Sequence, residues 1–228
     1  MMTETRRRTA RILLDTGCIL LRPARPFMLS SGWASPAWLD IPRALSLPTA
    51  RAALLAAAEA RIRAETGADG IDAVAATEQG GIALGALLAE RLQLPFATVR
   101  RRAQGFGPDG HVEGALPPHA RALLVSDVTT DGRSKARYCD ALRQAGAEVG
   151  HVFVLFSYGI FDRVVTDVAD LGARLFALAT WEDVLPEAEA GHDLPAPALA
   201  ALRDWLADPF GWSAAHGGLG APDPAWKR

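Results

Sequence analysis

From Thr49 to Trp181 the chain alternates strictly between two textures, and that alternation constrains its fold more than anything else in it. Short apolar runs occur at IDAVAA (from Ile71), PFATVR (from Pro95), RALLVSD (from Arg121), HVFVLF (from His151) and ARLFALATW (from Ala173). They are continuous rather than alternating with polar residues, which is the pattern of strands covered on both faces. Between them lie the helix-like segments TARAALLAAAEARIRAET, GIALGALLAERLQ, SKARYCDALRQAGA and FDRVVTDVADLGA. Gly67 and Gly146 fall where helix C-termini need a residue free to turn left-handed. Strand and helix in regular succession predict right-handed βαβ units, and so a parallel sheet flanked by helices in a Rossmann-like α/β fold.

The two ends break this rhythm. Within the first 45 residues, PARPFMLSSGWASPAWLDIPR is dense in Pro, Ser, Gly and Trp and predicts a small hood of turns and short strands over residues 1–45. The Arg cluster in MMTETRRRTARILL reads as the solvated start of a helix, because LLDTG interrupts the apolar stretch that a signal peptide would need. One domain is expected over residues 1–208. The Gly, Ala and Pro clusters of residues 209–228 are expected to form a loosely ordered tail.

With 24 basic and 26 acidic side chains the formal charge is −2, which excludes a basic nucleic-acid-binding arm and a disordered polyelectrolyte. Lysine occurs only at Lys135 and Lys227, so every other cation is Arg. Two cysteines, Cys18 and Cys139, cannot make a disulfide framework. The five histidines show no metal-ligand spacing. No apolar run is long enough to cross a bilayer. A soluble cytoplasmic protein, without membrane or nucleic-acid partners, is expected.

In an open parallel sheet, ligands bind beyond the carboxyl ends of the strands. The loop after the third apolar run, VSDVTTDGRSK from Val125, is the most informative. Asp127 ends the strand, Thr129, Thr130, Asp131 and Gly132 follow, and a helix starts near Ser134. Backbone N–H groups, hydroxyls and the positive helix end would together cradle a phosphate, while the acid could accept hydrogen bonds from sugar hydroxyls. The same residue types also make an ordinary capped strand-to-helix turn, and this loop alone does not separate the two readings.

Three further segments give the loop a context. V-S-D-V-T-T-D-G-R-S resembles the phosphoribosyl pyrophosphate (PRPP) motif of type I phosphoribosyltransferases. PFMLSSGWASPAWLDIPR, from Pro26 to Arg43, resembles the N-terminal signature of their orotate branch. TEQGGI, from Thr77, stands at the place of the pyrophosphate loop, and TVRRRAQGFGPDGHVEG, from Thr98, is similar to the catalytic loop. The order of the four segments makes the resemblance to orotate phosphoribosyltransferases specific. It implies transfer of phosphoribosyl from PRPP to orotate, with Mg2+ carried by PRPP rather than held directly by the protein. It also implies a homodimer in which each catalytic loop reaches the neighbouring site.

The resemblance assigns roles by position. Arg100 and Arg101 match the loop cations on the diphosphate, and Gln104 falls where a second lysine is expected. Asp127 matches the acid that holds ribose hydroxyls. Val128, Thr129, Thr130, Asp131, Gly132, Arg133 and Ser134 match the 5′-phosphate cradle, with Thr130 also beside the base. Ser31 and Gly32, with Ser35 and Pro36, match the border of the orotate pocket. Trp33 and Trp38 could wall that pocket or pack against the sheet.

Some positions depart from the family pattern. Gln104 lacks the expected charge, Ser126 replaces the first of two acids, and Arg133 replaces a glycine. Ala76 and Thr77 replace a glycine pair. FSYGIF after the fourth strand has no Arg for the orotate carboxylate, Arg163 being only a near neighbour. These departures leave open a PRPP-binding relative with another acceptor base or little turnover.

Overall fold

The structure is a computed structural model and describes residues 4–67, 70–102, 110–160, 172–191 and 194–221. A first helix, α1 (Glu4–Asp15), leads into the hood, built from β1 (Ile19–Leu21), β2 (Phe27–Met28), β3 (Ala34–Ser35) and β4 (Ala37–Leu39). These make two antiparallel pairs, β1 with β4 and β2 with β3. Helix α2 (Ile41–Ser46) follows, its first turn capped by the Asp40 carboxylate, which accepts from the Arg43 N–H. Next comes α3 (Pro48–Thr66), ended at Gly67, whose φ of 76° requires a residue without Cβ crowding.

The central sheet contains β5 (Ala73–Thr77), β6 (Phe96–Val99), β7 (Val112–Gly114), β8 (Arg121–Thr129), β9 (Glu148–Ser157) and β10 (Arg174–Thr180). Their spatial order is β10-β9-β8-β5-β6-β7. All neighbours are parallel except β7, which closes the edge antiparallel to β6. The five expected apolar runs are the five parallel strands. β5 is buried at every position and β9 over its last six, as continuous apolar runs demand. β7 was hidden inside the segment read as a loop: at three residues it is too short to show periodicity.

Helix α4 (Gly80–Leu92) connects β5 to β6, and α5 (Arg133–Gln144) connects β8 to β9. From the β5/β8 boundary these crossovers run in opposite directions along the sheet. With right-handed connections they cover opposite faces, and the boundary becomes the topological switch point. The fourth expected helix, from Phe161, falls almost wholly outside the described residues.

Beyond β10, the chain continues through α6 (Trp181–Gly191), α7 (Ala196–Ala207) and α8 (Pro209–Ala215). Within the stretch from residue 209, read as a loose tail, Pro209–Ala215 forms this last helix. Asp208 caps α8 by accepting from the Gly211 N–H at 2.9 Å. The Ser213 hydroxyl then accepts from the Ala34 N–H at 3.0 Å, and the Leu219 N–H donates to the Gly32 carbonyl at 3.0 Å. Glycine and alanine content hid the helix, whose order comes from docking on the hood rather than from its own propensity. No described helix is long and apolar enough to span a membrane.

Trp205, Trp181, Tyr158 and Phe156 pack edge to face beneath this C-terminal layer, with Tyr158 5.8 Å from Trp205 and Phe156 5.2 Å from Trp181. Trp205 is completely buried. Trp205→Ala should cost about 3–5 kcal/mol of unfolding free energy, read from chemical denaturation.

Candidate active site

At the switch point a cleft of about 800 Å³ opens between the ends of β5 and β8, the N-termini of α4 and α5, and the hood. On one wall, β5 ends at Thr77 and the chain turns through Glu78 and Gln79 into α4. The other wall is the run from Ser126 to Asp131 and the first turn of α5. The walls approach closely because α4 opens on two glycines. A Cβ at Gly80 would lie 1.9 Å from Asp127 Oδ2, and one at Gly81 would lie 2.8 Å from the Val125 carbonyl oxygen. Asp127 therefore reaches the start of α4 only because position 80 has no side chain.

Two departures from the family pattern meet here. The Thr77 hydroxyl donates to Ser126 Oγ at 2.9 Å, with both residues buried, and Ser126 Oγ lies 3.3 Å from Asp127 Oδ1. Where an acid pair is expected, one acid remains and a hydroxyl relay joins it to β5. Neither buried hydroxyl is left without a partner, so the exchange is structurally complete.

The phosphate-type loop begins later than its sequence suggests. β8 stays paired with β9 through Val128 and Thr129, so only residues 130–132 turn. Gly132 caps α5 at φ 73°. Asp131, 5% exposed, is fixed from two sides: its Oδ1 accepts from the Arg133 N–H and its Oδ2 from the Trp33 indole N–H, each at 3.2 Å. Burial pushes its carboxyl above the ordinary range, while those two donors pull it back. Thr130, Arg133 and Ser134 line the cleft beside it.

On the hood side, Ser30, Ser31 and Trp38 line the cleft. Ser31 Oγ is buried and has no hydrogen-bond partner among the described residues. Gly32 does not line it; at φ 91° it makes the tight turn in which its N–H donates to the Leu29 carbonyl. Of the two tryptophans, Trp38 faces the cleft, whereas Trp33 is core, edge-on to Phe210 at 5.4 Å.

The loop cations separate. Arg101 lines the cleft, and its N–H donates to Glu78 Oε1 at 2.7 Å. Arg100 does not line it and pairs instead with Glu113 on β7. Gln104 and Arg163 lie outside the described residues. Sequence reasoning missed Tyr138, whose hydroxyl donates to the Glu78 carbonyl at 3.2 Å and ties α5 to the opposite wall. It also missed Lys135, buried at the floor of the cleft. Helical spacing from Ser134 would have pointed to Tyr138, four residues on, but not to Lys135. Cys18 and Cys139 are buried free thiols pushed up to about 11 by burial, which makes them poor nucleophiles.

A doubly wound sheet with a strand-end acid, a hydroxyl-rich turn and a helix N-terminus at its switch point defines a type I phosphoribosyltransferase, and the solved structures agree. An orotate phosphoribosyltransferase from Aeropyrum pernix superposes with a TM-score of 0.67 at 30% identity, covering 79% of this chain and 99% of that one. A UMP synthase from Leishmania donovani gives a TM-score of 0.74 at 22% identity, over 88% of this chain and 42% of that one, a likeness of fold. No family model matches the chain. Among curated proteins, an orotate phosphoribosyltransferase from Dinoroseobacter shibae is 40% identical over 213 residues, 93% of this chain and 94% of its own length. One from Cereibacter sphaeroides is 39% identical over 93% and 92%. The chain belongs to the orotate phosphoribosyltransferase family.

Two variants test the geometry. Trp33→Phe keeps the ring packing but removes a donor from Asp131, which raises that carboxyl further. Ionised Asp131 is then lost at a less acidic pH, so the acid limb of kcat/KM for PRPP should move to higher pH. Ser126→Glu places a second acid in a buried pocket beside Asp127. It should lower stability by on the order of 3 kcal/mol in thermal or chemical unfolding, without raising turnover.

Proposed function

We propose that the chain transfers the phosphoribosyl group of PRPP to orotate, forming orotidine 5′-monophosphate and pyrophosphate in pyrimidine biosynthesis. The observation that carries this reading is the meeting, in one cleft, of the turn at Thr130–Ser134 with the hood segment whose buried Ser31 hydroxyl has no partner among the described residues. The Thr130 and Ser134 hydroxyls and the N–H groups of the first turn of α5 would hold the 5′-phosphate. Asp127 would accept from the ribose hydroxyls. Ser31 and Trp38 would border the base.

The reaction demands control of charge: positive character grows on the ribose C1 while a diphosphate departs. Arg101, which lines the cleft beside the Glu78–Gln79 turn, would receive that diphosphate. The carboxylate of Asp127 stabilises the sugar cation through the hydroxyls it holds. Tyr138, by fixing Glu78, keeps the diphosphate wall in place, and Trp33 does the same for the phosphate turn.

Mg2+ would neutralise the departing diphosphate. Among the described residues no three His, Cys, Asp or Glu converge on one point. A donor set of substrate oxygens and water suits Mg2+, which dehydrates reluctantly and retains several waters beside substrate phosphates. The ion is thus proposed to arrive with PRPP. The same reading makes the protein a cytoplasmic homodimer whose catalytic loops serve the partner's site. The exposed Leu20 and Met28 of the hood offer apolar surface for a covering subunit, and sedimentation at micromolar concentration tests it.

Orotate, PRPP and Mg2+ with the purified protein should give loss of orotate absorbance. Asp127→Asn should lower kcat/KM about ten- to a hundredfold by removing a charged acceptor. Gln104→Lys restores a loop cation and should raise kcat. A folded protein without turnover would refute the reading.

A further inference from the structure

The cleft contains a cation that no role assigned above uses. Lys135 stands on the buried face of α5, whose other buried residues include Tyr138, Cys139 and Leu142. Its side chain lines the cleft, yet the residue is only 5% exposed. The other described cations there, Arg101, Arg133 and Arg137, are exposed or half-buried. An ammonium has three N–H donors, and among the described residues Lys135 Nζ makes one long hydrogen bond, to Ser134 Oγ at 3.4 Å.

Such a placement costs stability. Removing an ammonium from water is penalised by several kcal/mol, and a methionine would fill the same space without that penalty. Asp127 from the end of β8 and Asp131 from the turn offset part of it, and Cys139 is the neighbouring titratable group on α5 itself. Composition sharpens the point. In a chain with 24 basic residues that is otherwise Arg, this is the single lysine before position 227. Arg would stay charged at any working pH and needs room for a planar fork, whereas a lysine can be buried as a compact point charge.

We propose that Lys135 is a binding residue for the 5-phosphate of the phosphoribosyl substrate, its spare N–H donors completing from below the cradle that Thr130 and Ser134 form from the side. The proximity of Nζ to Ser134 assigns it to this phosphate rather than to the diphosphate, which falls on the Glu78 side. The inference rests on the transferase reading above for its substrate, but its binding test does not require turnover.

Burial holds the free ammonium down to about 8, against the opposing pull of Asp127 and Asp131. A bound phosphate favours the charged form. PRPP affinity is therefore greatest below about pH 8 and falls as pH rises through it, with proton uptake on binding in that range.

Calorimetric titration of PRPP, ribose 5-phosphate and inorganic pyrophosphate into wild type, Lys135→Met and Lys135→Arg tests this. Lys135→Met should weaken PRPP and ribose 5-phosphate about ten- to a hundredfold, leave pyrophosphate unchanged, and lose both the fall near pH 8 and the proton uptake. Lys135→Arg should keep part of the affinity and show no fall near pH 8, since a guanidinium does not deprotonate there. In turnover the Lys135→Met loss should appear in KM for PRPP, with KM for orotate unchanged.

Unchanged PRPP affinity in folded Lys135→Met, verified by circular dichroism, overturns the inference even if wild type turns over. So does a loss confined to pyrophosphate. If wild type binds PRPP without turnover, the transferase reading fails while the affinity ratio still decides the role of Lys135. If PRPP does not bind, both fall. Should Lys135→Met not fold, Lys135→Arg carries the decision: a fall in its PRPP affinity near pH 8 like that of wild type would reject the lysine as the titrating ligand.

Discussion

The site depends on the closeness with which α4 meets the end of β8. A parallel sheet wound outward in two directions leaves a crevice between its two central crossovers, but a crevice alone is only a gap. It becomes a site here because Gly80 and Gly81 let the first turn of α4 lie against Val125, Ser126 and Asp127. The strand-end carboxylate is then held at a helix N-terminus, against the backbone of the first turn of α4. Everything else that faces the cleft is arranged around that contact.

The hydroxyl relay from Thr77 to Ser126 follows from the same proximity. Buried strand ends this close cannot leave polar groups unpaired, and an acid at either position would add a second negative charge beside Asp127. The paired hydroxyls satisfy each other and leave the site one acid poorer. That lowers the negative charge of the cleft beside Asp127.

Most of the framework was legible in the sequence because buried parallel strands are written as continuous apolar runs, and Gly67 and Gly146 mark where two helices end. The segment from Asp127 to Ser134 was legible as the passage from a strand end into a helix, because acid, hydroxyls and glycine mark such a turn, and it lines the cleft. What escaped were contacts between residues far apart in the chain. Nothing local to Trp33 shows that its indole meets Asp131, 98 positions away. Nothing in the Gly- and Ala-rich stretch after Pro209 shows that it docks on the hood. Lys135 escaped for another reason, since a lysine in a helix reads as solvated until the packing shows which face it occupies.

Those long-range contacts form one mechanical chain. The C-terminal segment holds the hood through Ser213 and Leu219, at Ala34 and Gly32, and Phe210 packs edge-on to the indole of Trp33 between those anchor points. Trp33 in turn fixes Asp131, which sets the turn that opens α5. Ser213, Trp33 and Asp131 are buried and the Leu219 link is backbone-to-backbone, so slack at one end reaches the other with little loss. A turn of three residues with a left-handed glycine has few contacts of its own to define it. Its geometry is set from outside, and the segment that looked least structured in the sequence is part of what holds this wall of the cleft in shape.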